Sequence, residues 1–157
     1  MEHIQEEINN LYNKDANLAY ASLKHILKCS EEGDELYPYM EEFIQMMHHE
    51  NSYVRTRGLL AFAMNARWDT KNLVDQHIHE YISHMEDDKP ITSRQCIQHL
   101  HQIARYKPEL CPLLLESVSI MNKEYGESMQ PLLYKDRKKA ARQIQQWMCE
   151  HEDEKTK

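Results

Sequence analysis

The chain has 157 residues, of which 41% are hydrophobic, and a formal net charge of -7 at pH 7. This length allows a single domain to bury a core without disulfides or metal, and the negative charge argues against general affinity for nucleic acid or anionic membranes. With only 3 glycines and 5 prolines, the composition predicts an all-α protein.

The sequence also predicts a cytoplasmic setting. The N-terminal residues MEHIQEEINN lack the apolar core of a secretory signal, and no apolar run approaches the roughly 20 residues of a membrane span. No CxxC spacing occurs, and the cysteines fall within helical patterns. We therefore expect reduced, mostly buried thiols at Cys29, Cys96, Cys111 and Cys149.

In chain order, the first predicted element is a short amphipathic helix over residues 2–12. Asp15 is a suitable N-cap for a second helix over 15–30, and a third follows the break at Gly33-Asp34 and covers 35–49. Asn51 or Ser52 caps a fourth helix, which ends near Arg67.

The second half of the chain continues this pattern, with Asp69 or Thr70 as the cap of a helix over 70–86. Thr92-Ser93-Arg94-Gln95 reads as a capping box for a helix that runs to about Tyr106. Four of the five prolines fall at or near a predicted helix start, whereas Pro112 lies about a turn inside its helix and predicts a late start or a kink. The remaining predictions are a helix opened by Lys107-Pro108, a final helix over 130–150 opened by Pro131, and a charged, frayed tail over 151–157.

An internal repeat organises these helices. Shifting 51–69 by 38 residues places it without gaps on 89–107, which pairs apolar positions of consecutive first helices. The equivalent residues are Leu23, Leu59 and Ile97, then Ile26, Phe62 and Leu100, with the small residues Ser22, Gly58 and Cys96 just before the first set. A small side chain there allows two helices to approach closely, and a two-helix period near 37–38 residues is typical of an α-solenoid.

The stretch Asn51–Leu60 resembles the first helix of a HEAT repeat, with a polar cap, then Val54-Arg55, then small and apolar residues at helical spacing. NSYVRTRGLL, NARWD and KPITSRQCIQ are also similar to segments of small bacterial HEAT-repeat proteins. Asn51 replaces the usual acid, and Ala19-Tyr20 stands where Val-Arg is expected. The resemblance implies an armadillo-type α-α superhelix, a short right-handed solenoid in one domain over 1–150, and it implies no activity. The hairpins would cover 15–50, 51–88 and 89–125, with capping helices at both ends.

The corner at residues 65–69 is the first candidate site, because Trp68 beside Arg67 and Asp69 at a loop can grip a peptide or a small ligand. A structural interpretation is favoured, since Ala-Arg-Tyr recurs at 104–106 and repeated features usually serve stacking. In that interpretation Trp68 fills a gap between layers and Asp69 caps the next helix. The candidate ligand-binding residues are Arg57, Asn65, Arg67, Trp68, Asp69 and Arg94.

Three arginines, Arg55, Arg57 and Arg94, are predicted near helix starts, where a cation opposes the helix dipole. Such a placement indicates either an external partner or salt bridges between repeats. Bridges are the commoner answer, and the nearby acids are Asp87, Asp88 and Asp136.

The sequence predicts no metal site and no cofactor. No pair among the 10 histidines has the i, i+3 or i, i+4 spacing that lets one helix chelate a metal. A site assembled from two helices, at 77–79 and 99–101, is the alternative. Catalytic motifs such as GxSxG and the P-loop do not occur.

The leading hypothesis from the sequence is a non-enzymatic scaffold whose second helices form a concave, acidic surface for another protein or peptide. Residues expected near that surface are Glu41, Glu42, Gln45, Gln76, His77 and Glu80. The alternative is a HEAT-like nucleic-acid-binding or DNA alkylation-repair type of protein, which the basic run over 135–142 would serve. A solvated face is the favoured interpretation of that run, because no aromatic residues interleave for base stacking. A third hypothesis is a self-associating structural protein.

Overall fold

The computed structural model describes residues 3–156, so the predicted start of the first helix at residue 2 and the end of the tail at Lys157 lie outside it. Across this range regular secondary structure is helical and no strand occurs, which confirms the all-α prediction. The helices are α1 (Ile4–Asn10), α2 (Ala16–Glu32), α3 (Met40–Met47), α4 (Ser52–Met64), α5 (Leu73–Ser83), α6 (Pro90–Gln98), α7 (Leu100–Tyr106), α8 (Cys111–Ile120) and α9 (Gln130–Thr156). None of the helices within residues 3–156 combines the length and apolar character needed to cross a membrane.

Two predicted helix caps are confirmed. The Asp15 carboxylate accepts hydrogen bonds from the backbone N–H groups of Asn17 and Leu18, and the Asn51 side chain accepts one from Tyr53. Each satisfies donors that the first turn of a helix cannot pair internally. These two capping residues fix where α2 and α4 begin.

The capping box predicted at Thr92–Gln95 is wrong, because α6 already begins at Pro90. Thr92 and Ser93 are buried inside this helix and bond to neighbouring elements instead. The Thr92 hydroxyl lies 2.9 Å from that of Thr56 on α4, and the Ser93 hydroxyl donates to the Met85 carbonyl. Their short polar side chains therefore join helices rather than end one.

At α8 the structure confirms one of the two alternatives predicted from Pro112, a late helix start, whereas the end of α9 differs from the sequence prediction. A 3-10 turn at Pro108–Leu110 precedes α8, so Pro112 falls in the first turn of the helix and does not kink it. At the other end α9 continues to Thr156, whereas the sequence predicts a frayed tail over 151–157. His151 packs against Trp147, and its Nε2 lies 3.2 Å from the Ala104 carbonyl oxygen, which attaches this end of α9 to α7.

The contacts between helices follow the order of the chain. The helices that open the hairpins contact one another in chain order, with α2 against α4, α4 against α6, and α6 and α7 against α9. The second helices α3 and α5 lie beside each other, and α8 packs against α7 and α9. A single apolar core includes residues from Ile8 to Ile144.

Gly58 confirms the prediction that a small residue permits close helix packing. A Cβ atom at this position would lie 2.5 Å from the Met46 Cβ and 2.9 Å from the Phe43 carbonyl oxygen on α3. The equivalent Cys96 is fully buried, and its thiol donates to the Tyr81 carbonyl of α5. In both repeats the small residue thus faces the preceding second helix.

Candidate functional site

The predicted corner forms a 3-10 turn at Asn65–Trp68, directly after α4. Asn65 is fully buried, and its amide nitrogen donates to the Ser30 hydroxyl at 3.0 Å and to the Ala61 carbonyl at 2.9 Å. The Trp68 indole N–H donates to the Ser30 carbonyl at 2.6 Å. Both side chains therefore attach the corner to the end of α2.

Arg67 connects the corner to the next repeat. Its guanidinium donates to the Gln102 side-chain oxygen at 2.9 Å and lies 5.1 Å from the centre of the Tyr106 ring. One repeat later, the Arg105 guanidinium lies 5.1 Å from the centre of the Trp147 ring. An arginine over an aromatic ring is a favourable contact, and here the same kind of contact occurs again one repeat later.

Asp69 is the centre of a buried polar network. Its carboxylate accepts the Tyr37 hydroxyl at 2.7 Å and the backbone N–H groups of Leu73 and Val74 at 2.9 and 2.8 Å. The Lys107 ammonium lies 3.0 Å from the same carboxylate and 2.7 Å from that of Asp75. Asp69 thus caps α5, as predicted, although its backbone lies three residues before the N-cap.

Burial alone would raise the pKa of Asp69, but the hydrogen bonds from Tyr37, Val74 and Lys107 outweigh it, and the pKa is lowered. For Lys107 burial would lower the pKa, and the contacts with Asp75 and Asp69 outweigh it, so the pKa is raised. Both shifts favour the charged forms. The side chains of Asp69 and Lys107 are only 0% and 8% exposed, so this is a buried ion pair.

A groove of about 290 Å³ runs along the corner and is lined by Asp34, Tyr37, Ala66, Arg67, Trp68, Asp69, Thr70, Tyr106 and Lys107. Its charged and aromatic groups already bind one another, since Asp69 pairs with Lys107 and Arg67 covers Tyr106. These contacts agree with the structural interpretation of the corner, in which its side chains join repeats.

The arginines near the helix starts have separate roles. Arg55 makes a bidentate pair with Asp87, with N–O distances of 3.0 and 2.9 Å, and Arg94 pairs with Asp136 at 2.7 Å. The prediction of salt bridges rather than an external partner is confirmed for both arginines. Arg94–Asp136 joins the hairpin over 89–125 to α9, whereas Arg55–Asp87 lies within the hairpin over 51–88, close to the start of α6. Arg57 differs, since its guanidinium donates to a backbone carbonyl, that of Leu11, at 2.8 Å. The structure therefore brings Asn65, Arg67, Trp68 and Asp69 together but places Arg57 and Arg94 elsewhere.

A second groove, of about 230 Å³, lies between α5 and α8, and the sequence does not predict it. It is lined by Ile82, Ser83, Met85, Glu86, Ser117, Ile120 and Met121. Ile120 is 69% exposed, and Ile82, an apolar residue near the end of α5, is partly exposed. The feature of the sequence that could have indicated this groove is Ile120, because it is an apolar residue outside the buried stripe of its helix.

The histidines contact acids rather than one another in most cases. His48 and His77 share the Glu80 carboxylate, at 3.2 and 2.9 Å, and His84 lies 2.8 Å from Asp87. In the part of the chain that the structure describes, no group of three or more His, Cys, Asp or Glu side chains is arranged to hold a metal ion.

The basic run lies on the exposed side of α9, where Lys135, Lys138, Lys139 and Arg142 face solvent. Arg137 instead donates to the Val118 carbonyl at 3.2 Å and so joins α9 to α8. Within the run, Arg137 therefore has a structural role, whereas the other basic side chains are solvated.

Comparisons with known proteins give no match to a family model, to a curated protein or to a solved structure. The candidate sites consequently rest on the geometry of this chain and on the repeat in its sequence.

Proposed function

We propose that this protein is a non-enzymatic scaffold that binds a protein or peptide segment on the face formed by its second helices. The proposal includes the HEAT-like, right-handed superhelical path and the cytoplasmic setting that the sequence resemblance implies. The observation that carries it is the combination of charge and shape on α3, α5 and α8.

The charge of this face has one sign. Among residues 40–47, 73–83 and 111–120 there are five acids, Glu41, Glu42, Asp75, Glu80 and Glu116, and no Lys or Arg. Asp75 is already paired with Lys107, so the charge offered to a partner comes from the four glutamates. Glu41 and Glu116 are exposed, and Glu42 and Glu80 are partly exposed. A face of this kind attracts a basic partner and repels an acidic one.

The shape of the face supplies an anchor point. The groove between α5 and α8 presents Ile82, Ile120 and Met121 with the Glu86 carboxylate among its lining residues. Peptide recognition commonly combines one apolar side chain in a pocket with charged contacts around it. The expected partner segment therefore carries an apolar residue flanked by Lys or Arg.

Selection from a displayed random-peptide library tests this proposal. Wild-type protein should enrich peptides with an apolar residue between basic residues, and Ile120→Glu should abolish their binding. Ile91→Glu is the matched control, because Ile91 is 64% exposed on α6, outside the groove. Enriched peptides that lack basic residues, or that bind Ile120→Glu equally well, would contradict the proposal.

The alternative, a HEAT-like nucleic-acid-binding or DNA alkylation-repair type of protein, is favoured only by the exposed lysines of α9. It requires DNA binding that weakens steeply as salt is added. Titration of labelled single- and double-stranded DNA at low ionic strength, with Lys135, Lys138 and Lys139 replaced by Gln as the control, distinguishes the two functions.

A further inference from the structure

Neighbouring first helices meet along three seams, and an arginine lies at each. At the α4–α6 seam Arg55 binds Asp87, and at the α6–α9 seam Arg94 binds Asp136. At the α2–α4 seam the arginine is Arg57, which lies on the later of the two helices, whereas Arg55 and Arg94 lie on the earlier one. The Arg57 guanidinium donates to the Leu11 carbonyl. Among the ion pairs of the described residues, Arg57 has no carboxylate partner.

A hollow lies beside Arg57 at this seam. Its volume of about 340 Å³ is within the size range of small-molecule sites. Its lining residues are Tyr12, Asn13, Lys14, Ala16, Asn51, Tyr53, Val54 and Arg57. The side chains of Arg57 and Lys14 give it positive charge. No acidic residue occurs among the lining residues.

Several hydrogen-bond donors line this hollow. A guanidinium has five N–H groups, of which the described contacts of Arg57 use one, on Leu11. Asn13 and Asn51 each accept a backbone N–H through the side-chain oxygen, from Asp15 and Tyr53, which leaves the amide nitrogen of each as a donor. Together with the Lys14 ammonium, these groups suit an oxyanion.

Two tyrosines add aromatic surface to the hollow. The Arg57 guanidinium lies 5.9 Å from the centre of the Tyr53 ring, and Tyr53 is largely exposed. Tyr12 is held by its hydroxyl, which donates to Glu42 at 2.8 Å. Burial lowers the pKa of Arg57, and Tyr53 partly offsets this shift. The cation is thus partly desolvated without a compensating carboxylate.

We propose that the hollow at the α2–α4 seam binds a small organic carboxylate or phosphate, whose oxyanion pairs with Arg57 as the Asp87 and Asp136 carboxylates pair with the arginines of the other two seams. The planar or apolar part of the ligand packs against Tyr53 and Tyr12. This site is separate from the groove between α5 and α8, and it does not depend on the scaffold function.

Isothermal titration calorimetry at low ionic strength tests the proposal with four probes: benzoate, phenyl phosphate, inorganic phosphate and the neutral benzamide. Benzoate or phenyl phosphate should bind saturably, inorganic phosphate more weakly, and benzamide not at all. Comparison of the first two probes shows whether the ligand class is a carboxylate or a phosphate. Failure of both to saturate by about 10 mM, a very weak affinity, would overturn the proposal.

Variants then locate the site. Arg57→Gln should weaken binding about tenfold or more, as expected for loss of a charge-assisted hydrogen bond, whereas Arg142→Gln should change it less than about twofold. Arg142 is exposed on α9, so both variants lose one positive charge. Equal weakening by the two variants would show a general charge effect and overturn the proposal. If Arg57→Gln does not fold, Lys14→Gln and Tyr53→Ala replace it, because both positions are exposed. Each should weaken binding more than Arg142→Gln does.

Discussion

Asp69 and Lys107 occupy equivalent positions in consecutive repeats, yet they carry opposite charges and bind each other at 3.0 Å. Burying one charge without its partner is costly, so the pair must form for the corner to close. The Asp69 carboxylate also caps α5 through Leu73 and Val74. One residue therefore couples a helix start to the contact between repeats.

Replacing Asp69 with Asn should lower the free energy of unfolding by about 2–4 kcal/mol, because the ion pair is broken and two helix-capping contacts are weakened. Urea unfolding at neutral pH, followed by circular dichroism, measures the change. Asp88→Asn is the control, since Asp88 is 92% exposed, and its midpoint should equal that of the wild type. If Asp69→Asn lowered the free energy of unfolding no more than Asp88→Asn does, the stabilising role of the Asp69 network would be contradicted.

The same network predicts a dependence on pH. Because the pKa of Asp69 is lowered in the folded protein, its stabilisation is present above the unfolded-state pKa of about 3.9 and is lost as the pH falls through the folded-state value. The difference in unfolding free energy between wild type and Asp69→Asn should therefore be largest near neutrality and shrink in acid. A urea-unfolding series from neutral to acidic pH measures it, and a constant difference would contradict the assignment.

At the scale of the elements, the distance between two packed helices depends on the size of the side chain at the point where they come closest. Gly58 on α4 lies against Met46 and the backbone of Phe43 on α3, where a methyl group has no room. In isolation, alanine would favour the helix over glycine by about 1 kcal/mol. The packing at this position opposes that preference.

Gly58→Ala should therefore destabilise the protein by about 1–3 kcal/mol, because α3 and α4 must separate to admit the methyl group. Gly33→Ala is the matched control, since a methyl group added at Gly33 would meet no other atom within 4 Å and the backbone there is extended. Thermal unfolding of both variants measures the effect. Equal melting temperatures would show that α3 moves away at no cost.

The salt bridges at two seams give a second prediction at this scale. Asp87 and Arg55 are only 4% and 14% exposed, whereas Asp136 and Arg94 are 11% and 28% exposed. Double-mutant cycles with alanine should give a coupling energy of about 1–3 kcal/mol for the more buried Arg55–Asp87 pair and a smaller one for Arg94–Asp136. The reverse order would show that burial does not determine the strength of these bridges.

At the scale of the whole molecule, one apolar core extends from α1 to α9 without interruption. Helix α9 packs on α6, α7 and α8 and contributes Leu133, Ala140 and Ile144 to this core. Small domains with a continuous core usually unfold in one cooperative transition.

The two tryptophans can report whether this cooperativity holds. Trp68 lies at the corner after α4, and Trp147 lies on α9. Single-tryptophan variants, Trp68→Phe and Trp147→Phe, should each show the same urea midpoint by fluorescence as by circular dichroism. A lower fluorescence midpoint for Trp147 alone would show that α9 detaches first and that the terminal helix folds as a separate unit.

The sequence by itself determined the helical class, the repeat, and several local contacts. Asp15 and Asn51 are identifiable as caps because a cap depends only on a side chain and the next few backbone N–H groups. Leu59, Ile97, Phe62 and Leu100 are all completely buried, as their apolar spacing predicts, since that spacing reports which side of a helix is covered.

Only the tertiary structure decided the features that need two distant segments. Leu18 is an apolar residue of α2 but is 52% exposed, and Thr92 resembles a cap but joins α6 to α4. The pairing of Lys107 with Asp69, and the backbone carbonyl rather than a carboxylate at Arg57, likewise depend on which helices become neighbours. Helical spacing specifies which side of a helix is covered, but it carries no information about the identity of the side chain that covers it.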